Sequence, residues 1–387
     1  MKNRSIIICD NEESVLYNSN VYYWNGYIDK DSGKSLLKIL EDNSDELRKQ
    51  FFDIRTDFLN ILSKNIETAS SKNIGNQLLW MSLLVESGPI KSPNLLDVFR
   101  LLTIDKFLVN SNTKIIKYLG SKKSIAKSLK KLCFKSNINF KWEKTSNINR
   151  KNLFGFKEFN FGYTLHSILW FIKFIIQHWS LKKLAVPNWF TQSNSIFIFS
   201  YFAHLDKNSC DSGKFYSDQW GVLPKLLKDS GKLINWVHFF IFSDLVRNTK
   251  TGITWLKLFN KNKVNKDVHF FLQSIIDFKI IFKSLFNWFQ MQLFYFRSAK
   301  KIEDPIKRHK YDWLWPVLKN DWKNSMIGAS SIDHILLINL FDELLKKMPH
   351  QKVGFYLYEN QGWEQAFLRA WKKYNHGKII GIAHSTI

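Results

Sequence analysis

The sequence predicts an α/β protein with parallel sheets, and three observations carry that prediction. Short apolar runs alternate with segments of helical periodicity, as in repeated strand–helix–strand units. The run SIFIFSYF at 195–202 is apolar without alternation, as expected for a strand covered on both faces. Residues 353–383 read as strand, helix and strand, with polar clusters at both strand ends. Together they predict Rossmann-like parallel-sheet domains with amphipathic helical insertions.

The elements follow in order. SIIIC at 5–9 reads as a buried first strand ending at Asp10; its apolar run is too short for a signal-peptide core. Segments 42–66 and 76–86 read as helices, and 94–108 as a helix with Leu95, Val98, Phe99 and Leu102 on one face. Residues 113–120, 121–134 and 138–144 read as strand, Lys-rich helix and strand. These compose an N-terminal α/β domain over 1–150. Region 151–192 holds an amphipathic helix and a linker. A second Rossmann-like domain spans 193–387, with a helical insertion at about 245–328.

Within that second domain, strand 195–202 feeds a long polar loop (203–218), a helix over 219–231 closed by Gly231, and a strand over 232–242. The segment 330–348 reads as a helix opening on a capping box from Ser330 to Asp333. In the last helix, Trp363, Ala366, Phe367, Ala370, Trp371 and Tyr374 form one apolar stripe, which is core and not a sugar-binding array.

Two amphipathic segments stand apart. In 165–179, His166, Lys173, Gln177 and Ser180 share a polar stripe, and Lys182 and Lys183 follow. In 271–296 the stripe is Lys279, Lys283, Asn287 and Gln290. Lys173, near the centre of the first segment, argues against a membrane span. Two readings fit both helices: lying in a membrane interface, or packing on the protein core.

The chain of 387 residues carries a formal charge of +24, 33 Phe and 15 Trp. Such a charge points to an anionic partner, and a Lys-rich composition without functional meaning is the plain alternative. Three dispersed cysteines form neither a disulfide framework nor a metal spacing, which fits a cytoplasmic protein. No metal site is expected. There is no P-loop, G-x-G-x-x-G, G-x-S-x-G or H-E-x-x-H signature.

The chemistry-bearing residues gather at the end. A right-handed crossover sets the last two strands parallel, so Glu359, Asn360, Gln361 and Gly362 at one carboxyl end face the same edge as His384, Ser385 and Thr386 at the other. Backbone N–H groups opening the Trp363 helix suit a phosphate or carboxylate. His384 fits a general base or a donor to a leaving phosphate, and Glu359 a base or an orienting partner. Glu364 complements the helix N-terminus. The plain reading of His384 is a structural hydrogen-bonder closing a strand. In the long loop, Asp206, Tyr216 and Trp220 are candidates for substrate contact; the two aromatics either stack on a sugar face or anchor the loop.

Residues 78–102, 196–240 and 356–386 resemble a bacterial surface carbohydrate biosynthesis family, similar in layout to GT-B glycosyltransferases of capsule, O-antigen and lipopolysaccharide synthesis. The matching positions are Glu359, Gly362, Trp363, Glu364, His384, Ser385 and Thr386, and Asp206, Gly213, Phe215, Tyr216, Trp220 and Gly221. The resemblance implies the N-terminal half of a two-domain fold, a nucleotide-sugar donor as co-substrate with no other cofactor, and a lipid-linked glycan acceptor. It also implies that sequence continues past His-Ser-Thr into a donor-binding domain. This sequence stops at Ile387, so little transfer is expected of it alone.

The expectation is therefore a glycosyltransferase, whole or partial, at an anionic membrane surface on the inner face of the cytoplasmic membrane. A non-enzymatic membrane-associated scaffold of that pathway is the alternative. Nucleic-acid binding, which the charge and the aromatics suggest, is the weaker alternative, and nucleic acid is not an expected partner, because the basic residues are spread along the chain and no recognition signature appears.

Overall fold

The structure is a computed structural model describing residues 4–10, 20–27, 33–69, 74–88, 91–92, 94–109, 111–145, 160–191, 195–262 and 267–383. The chain divides into two compact units, Met1–Gly162 with Phe294–Met326, and Tyr163–Leu293 with Ile327–Ile387. Each unit holds one five-stranded sheet in which every described pairing is parallel. The α/β class and the Rossmann-like parallel sheets read from the sequence are present in both.

In the first unit the elements are β1 (Arg4–Cys9), β2 (Val21–Tyr23), β3 (Lys34–Ser35), α1 (Leu36–Asp42), α2 (Ser44–Ala69), α3 (Ile74–Trp80), α4 (Leu83–Glu86), α5 (Leu95–Val109), β4 (Thr113–Leu119), α6 (Lys123–Lys135) and β5 (Asn139–Glu143). The strand order is β3-β2-β1-β4-β5. The chain lays strands to one side of β1, then returns to add β4 on the other. The apolar stripe of α2, including Leu47, Phe51, Ile54, Phe58, Leu62 and Ile66, is buried. The reading of 76–86 as one helix is corrected: it breaks at Met81–Ser82, and the Leu83 N–H that opens α4 is held by the Ser325 hydroxyl at 3.0 Å.

The second unit comprises α7 (Asn160–His178), β6 (Ser195–Phe202), α8 (Lys207–Asp211), α9 (Leu223–Asp229), β7 (Leu233–Phe240), α10 (Thr249–Lys261), β8 (Val268–Phe271), the start of α11 (Phe278–Glu303), the end of α12 (Trp315–Ile327), α13 (Ala329–Lys347), β9 (Val353–Tyr358), α14 (Gly362–Lys373) and β10 (Lys378–Ala383). Its order is β10-β9-β6-β7-β8, again with the first strand central. Register runs Phe197↔Gly354 to Phe199↔Tyr356 between β6 and β9, and Lys378↔Val353 to Ala383↔Tyr358 between β9 and β10. A Cβ at Gly354 would stand 2.7 Å from the Trp371 ring, which is why only glycine lets α14 lie so close to β9.

Two further readings of the sequence change. The helix at 330–348 is capped at Gly328 and not at Ser330, which sits inside its first turn. Residues Phe294–Met326, which the sequence places inside the helical insertion at about 245–328 of the second domain, fall with the first unit, where Trp313 and Trp322 are fully buried.

Candidate functional site

In an open parallel sheet, ligands bind outside the carboxyl ends of the strands, where the strand order reverses. In the second unit that point lies between β6 and β9, because β7 and β8 lie on one side and β9 and β10 on the other. The residues that follow these strands are His204 after β6, and Glu359, Asn360 and Gln361 after β9. Both loops turn through a left-handed residue, His204 at φ 51° and Asn360 at φ 56°. A side chain also ties β6 to the helix that follows the β9 loop, since Trp363 Nε1 donates to the Tyr201 hydroxyl.

The β9 loop is shaped from within. The Glu364 carboxylate is buried and accepts N–H groups from Glu359 (2.9 Å) and Gln361 (2.8 Å), satisfying donors that the helix start would leave open. Glu364 thus serves the fold and holds Glu359 in place; it does not face the edge. Gly362 is buried as the first residue of α14. His384, Ser385 and Thr386 lie outside the described residues.

The loop after β6 divides its candidates in the same way. Asp206 caps α8, its carboxylate accepting from Ser209 N at 2.7 Å, and these hydrogen bonds hold it below the usual carboxylate range. Trp220 is core: 5 % exposed, its indole N–H donating to Ser200 Oγ at 2.7 Å and its ring meeting Trp236 at 5.8 Å. Tyr216 is exposed. Of the two aromatics, Trp220 anchors the loop and Tyr216 stays open to solvent. His204 was not singled out in the sequence; its place directly beyond an unbroken apolar strand was the signal.

The first unit has the corresponding reversal between β1 and β4, and it is rich in buried polar groups that sequence reading missed. Asp10, ending β1, accepts from the Tyr118 hydroxyl and from Ser121 N, each at 2.9 Å. Beside it, buried Asp97 binds Trp24 Nε1 (2.9 Å), Arg100 Nη1 (3.0 Å) and Lys122 Nζ (2.7 Å). Burial, then Asp10, raises the Tyr118 hydroxyl, and burial lowers Arg100 despite Asp97. The two carboxylates are matched by two cations, so this network is electrically closed and reads as structural. Among the described residues no group of three or more His, Cys, Asp or Glu side chains is placed to hold a metal ion.

No family model, curated protein or solved structure matches this chain.

A second surface of the second unit needs explanation. Helices α7 and α11 run antiparallel: Trp179, just after α7, meets Phe278 at the start of α11 (5.2 Å), and Thr164 near the start of α7 reaches Gln292 (3.5 Å). The buried side of α11 is partly polar, with Ser284 accepting from Asn339 (2.9 Å) and Gln292 donating to the Ile327 carbonyl (3.0 Å). Its outer side carries Phe278, Phe282, Phe286, Phe289 and Leu293, and α7 adds Leu165, Leu169, Ile172 and Ile176. All nine are 40–71 % exposed. Lys173, Lys279 and Lys283 are exposed on the same two helices. Lys182 lies over both the Trp179 ring (4.8 Å) and the Phe278 ring (5.7 Å). No described helix is long and apolar enough to cross a membrane.

Proposed function

We propose that this protein works at an anionic membrane surface on a lipid-linked glycan, as a glycosyltransferase-like component of bacterial surface polysaccharide synthesis that draws on a nucleotide sugar. One observation carries the reading: the apolar ridge of α7 and α11. Burying a large apolar side chain contributes about 1.5–3 kcal/mol, so nine half-exposed ones forgo on the order of 10 kcal/mol in water. Rows of exposed apolar side chains with lysines on the same two adjoining helices are the pattern of helices lying in a headgroup interface. The ridge begins at Phe278, which follows the carboxyl end of β8, and so starts at the sheet edge that bears Glu359 and His204. A lipid-borne acceptor would meet the protein on that side. Aromatic-rich ridges and a positive chain also suit phosphorylated donors and acceptors.

The scaffold reading has an observation of its own in favour. Glu364 and Asp206 are spent on helix caps, which takes two of the carboxylates near this edge out of any transfer chemistry.

The membrane part is tested by flotation with vesicles of phosphatidylglycerol and phosphatidylcholine. The protein is expected to float with these at low salt and, in part, at high salt, and Phe282→Ser/Phe286→Ser/Phe289→Ser, with an unchanged melting temperature, to float more weakly at low salt and to remain at the bottom at high salt. Absence of flotation by the unmodified protein at low salt overturns it. The transferase part is tested with a nucleotide-sugar panel and a polyprenyl-linked acceptor in the same vesicles. Turnover lost in Glu359→Gln supports the enzyme; vesicle binding without turnover of any donor supports the scaffold.

A further inference from the structure

A pocket of about 660 Å³ opens between the 215–217 segment, α9 and the amino ends of β7 and β8. Its volume lies in the range of small-molecule sites. Leu233 and Asp267, which line it, begin β7 and immediately precede β8, whereas Glu359 and His204 follow the carboxyl ends of their strands. The pocket thus opens toward the amino ends of β7 and β8 while its 215–217 wall is bonded to the segment that follows β6, and the ligand inferred for it rests on the pocket's own lining and is tested by binding, apart from turnover at the carboxyl edge.

Its aromatic wall is held in place by its neighbours. The Phe215 ring packs on Trp236 (4.8 Å) and His238 (4.7 Å). Ser217 is buried, its hydroxyl bound to the Ala203 carbonyl at 3.0 Å and its backbone bridged to Leu205. Tyr216 stands between these two anchors and is 45 % exposed on the pocket wall. The backbone held this way presents the ring to the pocket, so little main-chain freedom is lost when a ligand stacks on it.

The charges are unequal. Lys228 is committed to buried Asp267 at 2.7 Å, which neutralises that carboxylate within the fold. Lys225 and Lys232 line the same space against the single remaining carboxylate, Asp229, and neither has an ion-pair partner among the described residues. Gly221 and Gly231, both lining residues, would offer a Cβ nothing within 4 Å, so there is open room beside the lysines. We infer that this pocket binds a phosphorylated ring compound, a nucleotide or a sugar phosphate, with the ring against Tyr216 and the phosphate between Lys225 and Lys232. For a neutral sugar's hydroxyls the lining leaves one unpaired carboxylate, Asp229, against two unpaired lysines, so the balance of charge favours an anion.

The test is a calorimetric titration of the full chain with uridine monophosphate and, separately, glucose 1-phosphate. Submillimolar binding of at least one is expected, weakened by about tenfold in Lys232→Ala and in Tyr216→Ala, as loss of one charge-assisted contact or one stacking surface predicts. Preference for the uridine compound assigns a nucleotide, and preference for the hexose compound a sugar phosphate. Both variants should melt as the unmodified protein does, since neither side chain is buried. Lys225→Glu serves as a second variant that reverses the charge without touching the core. Failure of both probes to bind at millimolar concentration overturns the inference, as does binding that all three variants leave intact.

Discussion

At the scale of single residues, the site loop depends on a carboxylate that never faces it. Glu364 accepts two backbone N–H groups at the start of α14. Loss of such a cap costs about 1–2 kcal/mol, so Glu364→Ala is expected to lower the urea midpoint and speed amide exchange at 359–361, while Glu364→Gln, which keeps an acceptor oxygen, retains most of the stability. The sequence showed that Glu364 lies near a helix start but not that two donors converge on it, because that depends on the loop closing back through Asn360. A second residue sets a pH dependence in the first unit. Asp321 is buried beside Asn94, which donates to it at 2.7 Å, and burial pushes its carboxyl up to about 6. Its folded value exceeds the unfolded one, so folding takes up a proton between about pH 4 and 6, and this group's contribution to stability falls as the pH rises through that window. Asp321→Asn should therefore be more stable than the unmodified protein at pH 7, by up to about 3 kcal/mol, with the difference vanishing near pH 4. Chemical denaturation at both pH values measures it; equal stability of the two proteins at pH 7 refutes the assignment.

At the scale of elements, β6, β9 and β10 were legible because each is a short apolar run bounded by polar turns, and β10 ends at Ala383, where the pattern placed it. Strand order was not legible. The sequence set the cleft between β9 and β10, which are neighbours in the chain, whereas the reversal of order falls between β6 and β9, whose pairing joins residues over 150 positions apart. Long-range pairing leaves no local periodicity to read. The same limit applies to α7 and α11. Their amphipathic spacing was visible, but spacing cannot say which apolar side meets protein. Here Ser284 and Gln292 turn inward and the phenylalanines turn out. That arrangement makes the buried Ser284–Asn339 hydrogen bond a fastening between α11 and α13. Removing one partner strands the other in the core, at about 1–3 kcal/mol. Asn339→Leu alone is expected to destabilise the second unit by that amount, and Asn339→Leu with Ser284→Ala to recover part of the loss. A double variant as costly as the sum of both single changes would show that the two helices are fastened elsewhere.

For the whole molecule the question is whether charge or shape selects the partner. A formal charge of +24 draws any polyanion. A nucleic-acid binder and a membrane binder are then alike at low salt, since both gain from lysine near phosphate. They differ in what remains when the charge is screened. The Debye length shrinks from about 10 Å to about 3 Å between 0.1 and 1 M salt, which removes most attraction between exposed charges and leaves burial of apolar surface untouched or strengthened. The nine exposed apolar side chains of α7 and α11 supply a salt-insensitive component that RNA offers nothing to match. Vesicle binding should therefore weaken on raising the salt but persist at a level set by the ridge, whereas binding to poly(U) should vanish. Excess poly(U) at low salt should displace the Phe282→Ser/Phe286→Ser/Phe289→Ser variant from anionic vesicles more readily than the unmodified protein. Flotation at the two salt concentrations, with and without competitor, measures both effects in one experiment. Equal displacement of both proteins would mean that charge alone holds the chain to lipid, and that the ridge meets some other surface.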